Sequence, residues 1–226
     1  MSRALRTLVR NARWWALDYC YAAARQLQGV LPHPPPDGFA SGSGRSVVVV
    51  PGVYESWTFM LPLVRALHDR GHPVHVVTGL GWNVRSIEDS AREVSALITE
   101  RDLHDVTIVA HSKGGLIGKY AMVHGDPQER VRNMLAVCTP FSGSRYAQYA
   151  LTRTLRMFSP TEPLTLALAA ERVINSRITS IYGVFDPHIP EGSALPGADN
   201  IQLDTGGHFR ILADPRALVI ALRVAA

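Results

Sequence analysis

Residues 107–122 read TIVAHSKGGLIGKYAM, and the order of residue types in this stretch decides the fold. A short apolar run ends at His111-Ser112, two glycines follow at 114 and 115, and an apolar helix-forming stretch then begins. A strand passing smoothly into a helix needs neither the hydroxyl nor the glycines. The pattern describes a sharp strand-to-helix turn with one side chain held at its tip. Small residues two positions to either side of that tip, here Ala110 and Gly114, let strand and helix approach closely. An N-cap serine also precedes a helix, but capping does not call for small residues on both sides. Ser112 is therefore a candidate nucleophile.

Outward from this turn, short Val/Ile-rich runs alternate with longer amphipathic ones. Strands are predicted at 46–50, 74–78, 106–110, 134–138, 178–184 and 200–204, and helices at 57–70, 86–101, 113–124, 144–157, 163–174 and 214–224. Apolar strands separated by helices imply a mostly parallel sheet of about six strands, covered on both faces: an α/β fold. At 226 residues and 46% hydrophobic, the chain suits one well-buried core.

The N-terminal part reads differently. Residues 1–31 form an amphipathic helix pattern, with Leu5, Leu8, Val9, Ala12, Trp15, Ala16 and Tyr19 on one face and Arg3, Arg6, Arg10 and Arg13 on another. Residues 32–44, LPHPPPDGFASGSG from Leu31 onward, read as a Pro/Gly-rich linker, and 45–226 as the compact domain. Formal net charge is +4, and residues 1–44 hold five arginines against two aspartates, so most of the excess sits in this segment. The folded part lacks the basic, aromatic-interleaved stripe that nucleic acid binding needs. The helix pattern over 3–30 suits either a membrane interface or docking on the domain, over an edge or the mouth of a site. No cleavable signal peptide is recognised, and no run approaches the roughly 18 apolar residues that span a bilayer. The expected location is cytoplasmic, or peripheral at the inner membrane surface. Cys20 and Cys138 have neither metal-ligand spacing nor the context of a structural disulfide.

A serine hydroxyl needs a base, and an oriented imidazole is the usual one. Where a serine sits on such a turn, acid and histidine follow it in that order. Asp186, after the strand 178–184, and His208, after the strand 200–204 and a Gly-Gly pair, fit that order and leave the sheet on the edge that carries Ser112. Asp199 and Asp204 are the alternative acids, on the strand leading to the histidine. His188 shares a loop with Asp186 and reads as a pocket-rim or solvated residue, and His111 is expected to point away from Ser112. The backbone N–H of Lys113, at a helix N-terminus, and that of Val53, after the Pro51-Gly52 turn, are the candidate oxyanion donors. No pattern singles out substrate-binding residues or an oligomeric state.

Together, VVVVPG, IVAHSKGGLIGKYAM, CTPFSGS, GVFDPHIP and GGH resemble, in order, the α/β-hydrolase superfamily, most nearly small bacterial lipases and esterases. The resemblance spans about 45–226. It departs at Pro51-Gly52, where such lipases usually have His-Gly, and at Lys113, where many have Met. It implies a compact version of the fold and hydrolysis of a small-molecule or lipid ester through an acyl-enzyme on Ser112, without metal or organic cofactor. Thioester hydrolysis, acyl transfer on the same triad, and a catalytically silent binding protein stay open as alternatives. Residues 141–174 lie where such enzymes insert a cap, and Leu151, Leu155, Phe158, Leu164, Leu166 and Leu168 are its candidate acyl-site or core residues.

Overall fold

The computed structural model describes residues 2–126 and 128–226. Its centre is a six-stranded sheet in which every neighbouring pair is parallel: β1 (Val47–Val50), β2 (Val74–Val76), β3 (Val106–His111), β4 (Val131–Val137), β5 (Ile178–Phe185) and β6 (Asp199–Gly206), in the order β2-β1-β3-β4-β5-β6. Successive side chains of a strand point to opposite faces. Val48, Val50, Ile108, Ala110, Met134 and Ala136 accordingly pack on one side, with Val94 and Ile98 of α3 (Ile87–Glu100) and Leu116 and Ile117 of α4 (Lys113–His124). Val47, Val49, Val109, Leu135, Val137 and Ile181 pack on the other, with Leu63 and Leu67 of α2 (Leu61–His68) and Ala217 and Ala221 of α7 (Pro215–Ala225). Burial on both faces explains why the strands are continuous apolar runs rather than alternating ones.

The register aligns the strand ends. Val50 pairs with Ala110, His111 with Val137, Val137 with Ile181, and Phe185 with Gly206. The segments that leave β1, β3, β4, β5 and β6 therefore emerge along one edge. The chain reverses direction across the sheet between β1 and β3, since β2 lies on one side of β1 and β3 on the other. Such a reversal opens a crevice at the carboxyl ends of the strands, where ligands bind in open α/β sheets.

The docking alternative for the N-terminal helix is met, and two expectations are corrected. Helix α1 (Arg3–Val30), capped by Ser2 Oγ on the Leu5 N–H, docks on the domain, but not through the face with the greatest apolar content. Asn11, Trp14, Asp18, Tyr21 and Ala22 turn inward, while Leu8, Val9 and Trp15 remain half or more exposed. Hydrogen bonding and ring packing at Trp14 and Asp18 outweigh the apolar stripe in setting the helix rotation. The 32–44 segment is not loose along its length: Phe39, in a 3₁₀ turn over Pro36–Phe39, is buried edge-on against Trp57 and His68. Residues 141–174 form two short helices, α5 (Arg153–Arg156) and α6 (Pro163–Ala170), joined by turns, instead of two longer ones. There Leu168 is core, Leu164 packs against it, and Leu151 and Leu166 are exposed.

Candidate active site

Ser112 sits between β3 and α4 with φ 51° and ψ −119°, a conformation that costs a non-glycine residue about 1–3 kcal/mol and persists only where the surroundings impose it. The cause is the close packing predicted for this turn. A Cβ at Gly114 would lie 2.1 Å from the Val50 carbonyl oxygen, so only glycine lets the first turn of α4 rest on the end of β1.

The strand register brings three of the sequence-predicted side chains together. Ser112 Oγ lies 2.9 Å from His208 Nε2, and His208 Nδ1 lies 2.8 Å from Asp186 Oδ2. The other Asp186 oxygen accepts the N–H groups of His188 and Ile189, at 2.8 and 3.1 Å, which fixes the carboxylate plane. Asp199 and Asp204, the alternative acids, are exposed on β6, and Asp199 pairs with Arg223 instead.

Burial disfavours a charged His208, but the charge and hydrogen bond of Asp186, helped by Glu55 and Asp18, outweigh it and raise the imidazole pKa above its ordinary value. Burial works against the Asp186 carboxylate too, yet His208 and the His188 N–H hold its pKa below the usual carboxylate range. His188 behaves oppositely: burial and the neighbouring His208 push it down to about 4 despite Asp186, so it is neutral near pH 7. It shares a hydrogen bond with the Tyr19 hydroxyl at 3.2 Å and lines the same cavity as Ser112.

That cavity has a volume of about 340 Å³, within the range of small-molecule sites, and its wall is mostly apolar. Val53, Phe59, Leu155, Phe158 and Ile189 line it together with Ser112 and His208, and α1 contributes Ala22 and Gln26. Val53, the residue after the Pro51-Gly52 turn, thus borders the cavity. Lys113 has a divided role. As the first residue of α4, its N–H has no intrahelical acceptor and lies beside Ser112. Its side chain is fully buried and turns away, its ammonium donating to the Asn83 and Arg85 carbonyls, and burial next to Arg85 lowers its pKa to about 8.

The sequence reading missed the parts that three residues of this region play. His111 points away from Ser112 as expected, but its buried ring bridges Glu55 Oε2 (2.9 Å) and the His208 carbonyl (3.0 Å). Glu55 also accepts the Gly52 N–H at 2.7 Å, so one buried chain of hydrogen bonds links the Pro51–Val53 turn to the loop carrying His208. The third, Asp18, accepts the N–H groups of His208, Phe209 and Arg210, each at 2.8 Å. An acid on an otherwise basic helix is the one sequence signal that could have drawn attention to it.

Among the described residues one group of potential metal ligands converges: Cys138, Asp186 and His208, with donor atoms within 4.8 Å of one another. Asp186 and His208 are already hydrogen-bonded to each other, and burial together with Asp186 and Asp18 raises the Cys138 pKa so that the thiol keeps its proton. A protonated thiol is a poor ligand.

No protein-family model matches the sequence, and no curated protein matches it. Solved structures do resemble it. Lipase B of Aspergillus fumigatus superimposes with a TM-score of 0.66 at 17% identity, covering 87% of this chain and 56% of that one. The mature form of a Bacillus licheniformis lipase gives 0.60 at 15%, covering 87% and 96%, and an extracellular α/β-hydrolase from a Paenibacillus species gives 0.55 at 14%, covering 80% and 99%. The chain thus spans little more than half the length of the first of these. It has the α/β-hydrolase fold.

Proposed function

We propose that the protein is a serine hydrolase of carboxylic esters that works through an acyl-enzyme on Ser112. One observation carries the reading: the continuous Ser112–His208–Asp186 hydrogen-bond chain opens into an apolar cavity. His208 Nε2 takes the hydroxyl proton as Ser112 Oγ attacks the ester carbonyl carbon. Asp186 holds the ring with its proton on Nδ1 and stabilises the imidazolium without itself becoming protonated. The N–H groups of Val53 and Lys113 receive the oxyanion. Collapse breaks the bond to the alcohol oxygen, which leaves with the His208 proton. Water, deprotonated by His208, then attacks the acyl carbon, releasing the acid and restoring Ser112. The likeness to lipase structures agrees with this chemistry.

The same groups serve thioester hydrolysis and transfer of the acyl group to an alcohol. Purified protein should hydrolyse short p-nitrophenyl esters, and Ser112→Ala should not. Product analysis with an added alcohol separates hydrolysis from transfer, free acid supporting the first and a new ester in excess the second, and comparison of matched ester and thioester substrates separates the two hydrolyses.

The substrate is proposed to be met at a lipid surface. The exposed stripe of Leu5, Leu8, Val9 and Trp15 on α1 runs toward the cavity wall that Ala22 and Gln26 form, and Tyr146, at the rim, is also more than half exposed. Arg3, Arg10 and Arg13 flank the stripe, an arrangement that suits anionic headgroups.

A further inference from the structure

Helix α1 does more than cover the domain. The Asp18 carboxylate is completely buried, and its position in the fold is unusual: three successive backbone N–H groups, those of residues 208–210, converge on its two oxygens. A buried carboxylate is tolerated only when hydrogen bonds replace its water, and those bonds are then stronger than ones between neutral groups. Two glycines make room for it. A Cβ at Gly206 would lie 2.3 Å from the Trp14 ring, and one at Gly207 would lie 2.5 Å from Asp18 Oδ1. Gly207 also has φ +121°, which side chains rarely adopt. The GGH sequence is thus shaped to receive α1.

The loop it receives carries the general base of the proposed reaction. His208 is gripped from both sides of its backbone: Asp18 takes its N–H, and the His111 ring donates to its carbonyl. Its ring is held separately by Asp186. Tyr19, the next residue of α1, hydrogen-bonds His188, whose ring centroid lies 4.9 Å from that of His208.

We propose that Asp18 is a positioning residue of the active site: by fixing the backbone of residues 208–210 it sets the reach of His208 Nε2 to Ser112 Oγ, so that the 45–226 segment is an incomplete enzyme without α1. This rests on the serine hydrolase reading above. Asp18 acts through the backbone and touches neither substrate nor reacting atoms. Its charge also bears on the base. The groups facing His208 are Asp18 and Tyr19 from α1, Glu55 after β1, His111 at the end of β3 and Ser112 after it, Cys138 after β4, and Asp186 and His188 after β5. Of these, Asp18, Glu55 and Asp186 supply negative charge that favours the protonated ring.

The test uses the full chain with Asp18→Asn, which keeps the shape of the side chain but replaces one acceptor by a donor. The expected result is a kcat for p-nitrophenyl acetate and a fluorophosphonate inactivation rate both lower by about 10- to 100-fold, the scale of a misplaced catalytic group. KM should change little, and the acid limb of the pH profile should move to lower pH. A merely structural residue would move the melting temperature and not the pH limb. A soluble, folded Asp18→Asn protein with wild-type kcat and an unmoved limb would overturn the proposal. Should that variant fail to fold, hydrogen exchange in the wild-type chain decides: the amides of His208, Phe209 and Arg210 are expected to be strongly protected, and exchange at exposed-loop rates would overturn the proposal equally. Wild-type protein that never labels at Ser112 refutes the hydrolase reading itself, whereas normal Ser112 labelling in both proteins at equal rates refutes only the role of Asp18.

Discussion

Adding one methyl group at Gly114 is expected to damage stability and catalysis together, and the structure gives the size of both effects. In Gly114→Ala the new Cβ would lie 2.1 Å from the Val50 carbonyl oxygen and 2.9 Å from that of Pro51. Ordinary contact begins near 3.4 Å, so α4 and the end of β1 must part by roughly 1.3 Å, the difference between 3.4 and 2.1 Å. Both opposing atoms belong to the backbone, and no rotamer change relieves the overlap. Overpacking of this kind costs about 1–3 kcal/mol, which for a chain of this size corresponds to a fall in Tm of roughly 2–12 °C. The same separation carries the Pro51–Val53 turn away from Lys113, so the two proposed oxyanion donors no longer converge. A displacement near 1 Å at a reacting centre lowers kcat by about 100-fold. Thermal unfolding followed by circular dichroism, with kcat on p-nitrophenyl acetate, measures both quantities. A Gly114→Ala protein with wild-type Tm and wild-type kcat would refute the argument that this glycine sets the turn and the oxyanion site.

Ser112→Ala and His208→Ala should each lower kcat by several orders of magnitude, on the order of 10⁴ or more, with the circular dichroism spectrum unchanged, and Asp186→Asn should fall nearly as far. Because His208 must be neutral to accept the serine proton and its neighbours raise its pKa, kcat/KM should increase with pH through a single ionisation above 6.5; an inflection below that value would contradict the assignment. Lys113→Met should lose about 1–3 kcal/mol in denaturant unfolding, since the Asn83 and Arg85 carbonyls lose their donor, yet keep its rate of fluorophosphonate labelling, because the proposed catalytic part of residue 113 is its N–H. Replacing both Leu5 and Leu8 by Asp should weaken binding to phosphatidylglycerol vesicles at low salt at least about tenfold while leaving turnover of soluble esters intact; equal binding by both proteins would remove the lipid-surface reading.

What was legible in the sequence follows the range of the interactions involved. The turn at Ser112 is local: Ala110, Ser112 and Gly114 lie within five residues, and the steric reason for each acts at that distance. The order of strands and helices is readable because burial on both faces leaves a continuous apolar run such as Val47–Val50. Asp186 and His208 are placed by the shared strand edge, one step removed from the sequence. Longer-range features were hidden. Asp18 meets the His208 N–H across 190 residues, and nothing near position 18 announces the partner. The Gly206-Gly207 pair signals that something comes close, but not that a tryptophan and a carboxylate do. On α1 the apolar pattern correctly marks a helix and misdirects its rotation, because a periodicity records which residues share a face and not which face is covered. In 141–174 the helical pattern is broken by turns that carry Tyr146, Ala147 and Ala150 to the cavity wall, a tertiary demand that the spacing does not express.

The central claim is that Ser112 is a nucleophile activated by His208. Labelling of the native 226-residue chain with a fluorophosphonate, followed by peptide mass mapping, tests it without knowledge of the substrate. The account predicts a stoichiometric phosphonyl adduct on Ser112, formed at a rate that rises with the deprotonation of His208, and absent from heat-denatured protein. Folded protein that takes up no label, or label mapped to another serine such as Ser56 or Ser144, would contradict it.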